Sequence, residues 1–322
     1  MIHISVIIPA YNAELYIEDT IISVLQQTLA SDQIEIIVVN DGSTDNTVAI
    51  LQKYIQQQDI SYFEHEGGLN LGVSKTRMLG IRKSKGEYIA FLDADDLFKT
   101  DKLEKQLEIL KENPSVILTH SKAEFINETN QSFNNEFVLD DKDKKYRLNQ
   151  LESWLKYSPI CNSSILVRKE FLFKVHVEYP QAFQHEDWLL LTLLSAYGDF
   201  YYCNEALVSY RYHEKSSTAG LLKNNLLIYY ARIEYLLTLY LSSSSDEISS
   251  HIVHTLKQTL IDLAKIYSAD NDESENKMNT LFQGLFNVDE KVMNKMIDLQ
   301  NENSILKESF FNKVVRKIKS FI

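Results

Sequence analysis

The chain has 322 residues, 44% of them hydrophobic, and a formal net charge of −12. That length suffices for one large domain with an extension, or for two small domains, around a fully buried core. The acidic balance excludes general affinity for nucleic acid, whose phosphates require clustered Lys and Arg over a whole face. Cys161 and Cys203 are the only cysteines and lie far apart, so we predict core thiols rather than a disulfide framework or a zinc site.

No basic segment followed by an apolar one opens the sequence, so we expect no secretory signal and a cytoplasmic protein. The best candidate for a membrane span, residues 221–241, is interrupted by charged and amide side chains that a bilayer-spanning helix rarely tolerates. We therefore predict a helix in water there.

The first half of the chain alternates short apolar runs with helical patterns. The runs lie at residues 4–8, 34–39, 61–64 and 88–92, and the helical patterns at residues 14–27, 45–57, 72–83 and 100–113. This alternation predicts the α/β class, with a mostly parallel sheet flanked by helices.

Three of these strands end in polar clusters, at residues 9–12, 40–43 and 93–96. Ligands of parallel sheets bind in the crevice at the carboxyl ends of the strands. We therefore expect the three clusters to converge on one crevice.

The second half is less regular. Its pattern predicts a long polar connection at residues 127–150, strands at 160–167, 200–203 and 207–210, and helices at 188–197 and from 221 to the end. We therefore predict two domains, an α/β domain at residues 1–220 and a helical region at residues 221–322.

Three carboxylates crowd the end of the fourth strand: Asp93, Asp95 and Asp96. Such crowding is costly without a cation, and Mg²⁺ and Mn²⁺ are commonly held by one or two carboxylates plus substrate phosphates. The alternative is that Asp95 and Asp96 cap the helix that starts near Thr100. A structural alternative also exists for Asp41 and the turn after it, in which the glycine forms a turn and Asp45 caps the helix that follows.

Three segments together resemble glycosyltransferase family 2, in the same order and with similar spacing: SVIIPAYN at residues 5–12, VVNDGSTD at 38–45 and GEYIAFLDADD at 86–96. The resemblance covers about residues 1–220. It implies a GT-A fold and inverting transfer of a sugar from a nucleotide-diphosphate donor, with a UDP-sugar favoured.

The resemblance also implies donor-site roles. Asp41 would contact the base, Asp93 ribose or sugar hydroxyls, and Asp95, as the second Asp of a DXD motif, would be the principal ligand of Mn²⁺ or Mg²⁺, with Asp96 weaker. The other implied donor contacts are Pro9, Ala10, Tyr11, Asn12, Glu14 and Ala94.

The segment at residues 70–81 matches the family's two glycines and its arginine, Arg77, which is a candidate for the donor. The alternative is a solvated charge on a helix. The segment departs from the family at two positions, because Met78 replaces a usual Asn and Thr76 a usual Ala.

Glu186 and Asp187 resemble the family's acceptor-site pair, followed by Trp188. A sugar hydroxyl is a poor nucleophile, so inverting transfer needs a carboxylate base within hydrogen-bond reach, and Asp187 matches that role. The alternative is an ordinary acidic helix N-terminus. Trp188 is a candidate for stacking on an acceptor sugar or for core packing.

The segment after residue 209 resembles the family's closing segment, which folds over the donor diphosphate. Arg211 offers a fixed fork to phosphate oxygens, and His213 is a candidate metal ligand through a neutral ring nitrogen.

Residues 307–322 form a basic amphipathic pattern on an acidic protein, which suits an anionic membrane surface. The alternative is a terminal helix docked on its own domain. A short heptad with Asn303 at a core position lies in the same stretch, 289–322, and supports the hypothesis of a homodimer.

The sequence as a whole favours a metal-dependent glycosyltransferase of cell-surface polysaccharide synthesis, acting at the cytoplasmic face of the membrane on a glycan or lipid-linked glycan acceptor. Two alternatives stay open: a non-catalytic subunit that binds a nucleotide sugar, and a sugar nucleotidyltransferase. The latter usually has a Gly-rich, basic phosphate loop after the first strand, which residues 9–12 do not provide.

Overall fold

A computed structural model describes residues 2–136, 144–146, 160–175, 186–214 and 216, and six single helical positions further on. The chain divides into two compact units, one of residues 1–150 with 157–220 and the other of residues 151–156 with 221–322. The six helical positions belong to the second unit: Arg232, Tyr235, Leu236, Ile252, Thr255 and Thr259. The amphipathic and heptad patterns at 289–322 lie outside the described residues.

Ten strands and six α-helices are described in the first unit. The strands are β1 (Ile4–Ala10), β2 (Ile34–Asn40), β3 (Ser61–Glu64), β4 (Tyr88–Phe91), β5 (Leu97–Phe98), β6 (Val116–Ile126), β7 (Ser132–Glu136), β8 (Lys144–Tyr146), β9 (Leu166–Arg168) and β10 (Asp199–Arg211). The helices are α1 (Ile17–Leu25), α2 (Thr47–Gln56), α3 (Val73–Lys83), α4 (Lys102–Glu112), α5 (Lys169–Lys174) and α6 (Glu186–Leu194).

The strands form one mixed sheet in the order β3-β2-β1-β4-β9-β6-β10-β5. Strands β3, β2, β1 and β4 are parallel, β9 is antiparallel to both its neighbours, and β10 runs parallel to β6. All seven residues of β1 are buried, because its continuous apolar run is covered on both faces. The predicted α/β sheet with flanking helices is confirmed. The four strands β3, β2, β1 and β4 are parallel as predicted, and the strands beyond them make the sheet mixed rather than mostly parallel.

The registers bring three strand ends side by side. Ala10 at the end of β1 pairs with Asn40 at the end of β2, and Ile7 pairs with Phe91 at the end of β4. Since β1 lies between its two parallel neighbours, the loops after all three strands open on one edge of the sheet. The predicted convergence of the polar clusters is therefore confirmed.

Three predictions for the second half are wrong in detail. The strand predicted at 160–167 begins only at Leu166, because Asn162–Ser164 form a 3-10 turn. The connection predicted at 127–150 contains β7 and β8. The two strands predicted at 200–203 and 207–210 are one strand, β10, with register shifts around Cys203 and Ala206.

Both cysteines are buried free thiols, as predicted. No helix in the described part of the chain is long and apolar enough to cross a membrane.

Candidate active site

The loop after β4 carries the acidic cluster and is fixed from two sides. The Thr20 hydroxyl of α1 contacts the carbonyl oxygens of Ala94 at 2.9 Å and Asp96 at 3.0 Å. The backbone N–H of Asp93 donates to the Ser163 hydroxyl at 3.1 Å. The backbone of residues 93–96 is thereby held, and the carboxylates keep defined positions.

Asp96 is the buried member of the cluster, with 1% of its surface exposed. One carboxyl oxygen accepts from the Ser163 hydroxyl at 2.5 Å and the other from the backbone N–H of Arg211 at 2.9 Å. Burial, and then the charges of Asp95 and Asp93, raise the pKa of Asp96 well above its usual value. With both oxygens engaged inside the protein, Asp96 anchors the loop, and the metal role suggested weakly by sequence does not fit it.

Asp95 and His213 form a carboxylate–imidazole pair, with Asp95 Oδ2 2.9 Å from His213 Nε2. An octahedral ion with bonds of about 2.1 Å holds neighbouring ligand atoms about 3 Å apart, so this spacing fits two adjacent ligands of Mg²⁺ or Mn²⁺. No cluster of three or more His, Cys, Asp or Glu side chains suited to a metal occurs among the described residues. Ions of this kind that are held by one or two carboxylates commonly take their remaining ligands from substrate phosphates and water.

Arg211 is buried and ties the end of β10 to the acidic loop. Its Nε donates to the Asp95 carbonyl oxygen at 2.7 Å, its Nη1 to that of Asn127 at 3.0 Å, and its guanidinium lies 4.7 Å from the Tyr16 ring centroid. Nη2 is buried without a hydrogen-bond partner among the described residues. These contacts of Arg211 position Asp95. The predicted contact of Arg211 with a donor diphosphate stays a prediction.

The loops after β1 and β2 bind each other. Asn12 Oδ1 accepts from the Thr44 backbone N–H at 2.8 Å, and Glu14 Oε2 accepts from the backbone N–H and the side-chain amide of Asn46 at 2.9 and 2.8 Å. Asn12 has a left-handed backbone with φ of 48°, which Asn tolerates better than most residues. The Glu14 carboxylate thus sits at the N-terminus of α2, where the helix dipole favours it.

The remaining members of the predicted donor turn differ in exposure. Pro9 and Ala10 are buried as the last residues of β1, whereas the Tyr11 side chain is 52% exposed at the edge of the sheet. Tyr11 is therefore the side chain of this turn that is free to stack on a base, and its role stays a prediction.

Asp41 holds the loop that precedes α3. Its two carboxyl oxygens accept from the backbone N–H groups of Leu71 at 2.8 Å and Gly72 at 3.1 Å, and His65 Nε2 lies 3.7 Å away. This contact shapes the floor of the crevice beside the β2 end. A direct contact of Asp41 with a base, through its remaining lone pairs, stays a prediction.

Arg77 on α3 is buried and pairs with Asp93 at 2.5 Å, so the alternative of a solvated helix charge is excluded. Arg77 also lines a pocket of about 40 Å³ together with Asp187 and Asn162. The structure thus connects the acidic loop to the residue predicted as the base, although 94 positions separate Asp93 from Asp187 in the sequence.

Asp187 lies in the first turn of α6 and is partly exposed, and its Oδ1 accepts from the Trp188 backbone N–H at 2.7 Å. The Glu186 side chain lies outside the described residues. Trp188 is only 5% exposed, which favours core packing over stacking on an acceptor sugar.

Sequence reasoning missed four residues of the site. Thr20 and Ser163 bind the acidic loop, Tyr16 packs on Arg211, and Asn162 lines the pocket beside Asp187. A signal existed for two of them, because the polar triplet at residues 162–164 interrupts an apolar run and so indicates a turn rather than a continuous strand. Thr20 and Tyr16 lie in and just before an amphipathic helix, where nothing local distinguishes them from other residues of the pattern.

The chain is similar to known proteins. The family model described as Glycosyl transferase family 2 matches residues 5–174. An uncharacterized glycosyltransferase of Haemophilus influenzae is 32% identical over 244 residues, covering 70% of this chain and 74% of that protein. The putative teichuronic acid biosynthesis glycosyltransferase TuaG of Bacillus subtilis is 46% identical over 112 residues, 34% of this chain and 42% of TuaG.

Solved structures share the fold. S. aureus TarS 1-349 in complex with UDP-GlcNAc has a TM-score of 0.63 at 19% identity, covering 87% of this chain and 80% of that one. The mannosyltransferase PcManGT from Pyrobaculum calidifontis, in complex with GDP-Man and Mn²⁺, has a TM-score of 0.57 at 15% identity, covering 99% and 86%. These likenesses confirm the predicted GT-A fold.

Proposed function

Because the chain belongs to glycosyltransferase family 2, we propose that it transfers a sugar, with inversion, from a nucleotide-diphosphate donor to a hydroxyl of an acceptor glycan. A UDP-sugar is the first candidate. One observation carries the proposal: a single crevice holds the Asp95–His213 pair and, through Asp93 and Arg77, reaches the pocket lined by Asp187.

Asp95 and His213 would hold the cation beside the donor diphosphate. When bound, Mn²⁺ or Mg²⁺ supplies positive charge that offsets the charge developing on the leaving group. The chain's own part is orientation, because Arg211 binds the Asp95 carbonyl oxygen and Thr20 binds the carbonyl of Ala94. These contacts fix the loop before substrate arrives, so little free energy is spent on arranging it.

Asp187 would accept the proton of the attacking acceptor hydroxyl. A carboxylate at this position is suited to the task because it is partly exposed and accepts the Trp188 backbone N–H at one oxygen. Its other oxygen has no hydrogen bond to the described residues and would face the substrate. Glu186 would bind acceptor hydroxyls beside it. Pairing with Asp93 would let Arg77 orient the donor sugar between the cation and the base.

The acceptor is proposed to be a glycan or lipid-linked glycan of a cell-surface polysaccharide. The names of similar proteins support this class: TuaG carries teichuronic acid biosynthesis in its name, and GgaB of Bacillus subtilis, 29% identical over 217 residues, minor teichoic acid biosynthesis. A cytoplasmic location, membrane contact through residues 307–322 and a homodimer through 289–322 belong to the same proposal and rest on sequence.

Calorimetric titration of the full chain with UDP-, GDP-, dTDP- and CDP-sugars, each with Mn²⁺ and with EDTA, tests the proposal. We expect one nucleotide class to bind, with affinity that falls roughly tenfold or more in EDTA and in Asp95→Ala. Asp32→Ala removes an exposed carboxylate before β2 and serves as the matched control. Binding that is equal with and without metal, or in Asp95→Ala, would place the ion's role elsewhere.

A further inference from the structure

The pocket beside Asp187 has a mostly apolar lining. Ten of the described residues line it, and six of these are apolar: Met78, Ile81, Phe91, Leu172, Val175 and Leu190. Its volume is about 40 Å³, room for roughly three groups the size of a water molecule. The pocket therefore takes a small substituent rather than a whole sugar ring.

Asn162 lines this pocket and carries an unsatisfied hydrogen-bond donor. The residue is 6% exposed, and its Nδ2 is buried without a hydrogen-bond partner among the described residues. A buried donor left unpaired costs about 1–3 kcal/mol, so the position favours a ligand that brings an acceptor. The 3-10 turn that carries Asn162 is itself well held, because the Gln106 side chain donates to the Ser164 carbonyl oxygen at 2.9 Å.

The wall of the pocket is apolar at Met78. Met78 is one of the apolar residues that line it, and its side chain brings no hydrogen-bond donor to the pocket. A sugar hydroxyl against this wall would keep hydrogen-bonding capacity unmet, since it carries one donor and two acceptor lone pairs. A purely hydrocarbon group would suit the wall but leave Asn162 unpaired.

An acetamido group offers both an apolar methyl for the wall and an acceptor for Asn162. Its methyl is apolar and fits against Met78, Phe91 and Leu190, and its carbonyl oxygen accepts from Asn162 Nδ2. We propose that this pocket takes the acetamido group of an N-acetylhexosamine substrate. The inference rests on the proposed transfer of a sugar at this site, and it narrows the class of that sugar.

Two sources of the acetamido group are compatible with the position of the pocket. Arg77 joins the pocket to Asp93 and hence to the donor side, whereas Asp187 borders it from the acceptor side. The chemistry is the same in both cases, and the experiment separates them by offering the group on one substrate at a time.

The donor arm measures dissociation constants of UDP-GlcNAc against UDP-glucose, UDP-GalNAc against UDP-galactose, and UDP alone, with Mn²⁺. The acceptor arm titrates methyl N-acetyl-β-glucosaminide against methyl β-glucoside in the presence of saturating UDP. In one arm we expect the N-acetylated member to bind roughly tenfold more tightly, because about one buried hydrogen bond changes a dissociation constant by that factor. The arm that shows the preference identifies the source.

Two variants test Asn162 directly. Asn162→Ala removes the donor, and Asn162→Asp keeps the shape but presents acceptors to the carbonyl oxygen. Both are expected to reduce the preference below roughly threefold while the affinity for UDP alone stays unchanged. Asn130→Ala, at an exposed turn, is the matched control and should keep the full preference.

The outcomes are distinct. UDP binding without a preference for the N-acetylated member in either arm would overturn the acetamido pocket and leave the proposed function standing. The same holds if the preference survives in both Asn162 variants. No nucleotide binding by the wild-type chain would overturn both.

Discussion

Asp95 and His213 are 118 positions apart, and their side chains meet because β10 ends beside the loop after β4. Arg211, two residues before His213, secures this meeting through its backbone N–H on Asp96 and its Nε on the Asp95 carbonyl oxygen. The pair therefore depends on a buried anchor as much as on the side chains of Asp95 and His213 themselves.

At Asp187 we predict that Asn abolishes transfer and preserves donor binding. The substitution keeps the shape of the side chain but removes the group that we propose accepts the proton, and general-base catalysis is worth about 10²–10⁴-fold in rate. Turnover is measured with the donor and acceptor found in the screens, and the donor dissociation constant by calorimetry.

Asp199→Asn, at the start of β10, is the control for exchanging a carboxylate elsewhere in the same unit. Transfer at the wild-type rate by Asp187→Asn would show that another group is the base.

Lys102 is a buried cation that the proposed chemistry does not use. Its side chain is fully buried at the start of α4, its Nζ donates to Gln106 Oε1 at 2.7 Å, and it lies 4.2 Å from the Phe98 ring centroid. Burial disfavours the charged form and lowers the pKa of Lys102 to about 7. Gln106 in turn holds the turn of residues 162–164, so this network supports the pocket wall.

The lowered pKa gives a pH-dependent contribution to stability. Between pH of about 7 and the unfolded value near 10.4, the unfolded chain binds a proton at this site that the folded chain does not, so the free energy of unfolding rises with pH. The slope is at most about 1.4 kcal/mol per pH unit. Lys102→Met removes this rise.

Urea unfolding of the wild type and Lys102→Met at pH 7, 8, 9 and 10 measures the difference between the two profiles. We expect the free energy of unfolding of the wild type to rise with pH relative to that of Lys102→Met. The exposed control Lys111→Met should follow the wild type. Parallel profiles of the wild type and Lys102→Met would contradict the lowered pKa.

At the scale of elements, the loop after β2 requires a glycine. Gly42 has φ of +74°, and a Cβ there would come within 2.8 Å of the Asn70 backbone nitrogen and the Gly68 carbonyl oxygen. The loop after β2 thus packs directly against the segment that leads into α3. This contact brings Asp41 within reach of the Leu71 and Gly72 N–H groups.

Gly42→Ala is therefore expected to lower the free energy of unfolding by about 2–4 kcal/mol, from backbone strain and the clash together. Gly68→Ala is the matched control, since Gly68 also has positive φ, +64°, but nothing lies within 4 Å of its Cβ position. It should cost about 1–2 kcal/mol. Equal losses in urea unfolding would mean that the loop moves aside without penalty.

Elements that bury a continuous or periodic apolar face could be predicted from sequence. Strands β1, β2 and β4 were found because each is buried along most of its length. Strands β7 and β8 were not, because the sequences SFNNE and KKY carry no apolar alternation and pair only with one neighbour each. Strand β5, with two residues, is too short for any period.

Residues of the site could likewise be predicted only where a local sequence pattern marks them. The acids after β4 and the pair at the start of α6 stand in recognisable local patterns, so their positions could be predicted. The bond from Ser163 to Asp96 and the burial of Arg211 arise from contacts 67 or more positions apart. Such contacts follow from packing and leave no local pattern in the sequence.

At the scale of the whole molecule, charge is unevenly distributed along the chain. The protein has a net charge of −12, yet residues 307–322 contain four Lys and one Arg against one Glu. An anionic lipid surface repels the acidic bulk of the chain and attracts this segment, and each Lys or Arg near such a surface contributes about 1 kcal/mol. Membrane contact through this segment is therefore expected to depend on lipid charge.

We predict that the full chain sediments with phosphatidylglycerol vesicles and not with phosphatidylcholine vesicles. Replacing Lys313, Lys317 and Lys319 by Gln should weaken the binding at least tenfold, because it removes about 3 kcal/mol of attraction while keeping the apolar face. Replacing Lys83, Lys85 and Lys111 by Gln changes the net charge equally on exposed positions of the first unit and should leave binding unchanged. Equal loss in both triple variants would mean that net charge, not this segment, governs the contact, and equal binding to the two lipids would refute an electrostatic attachment.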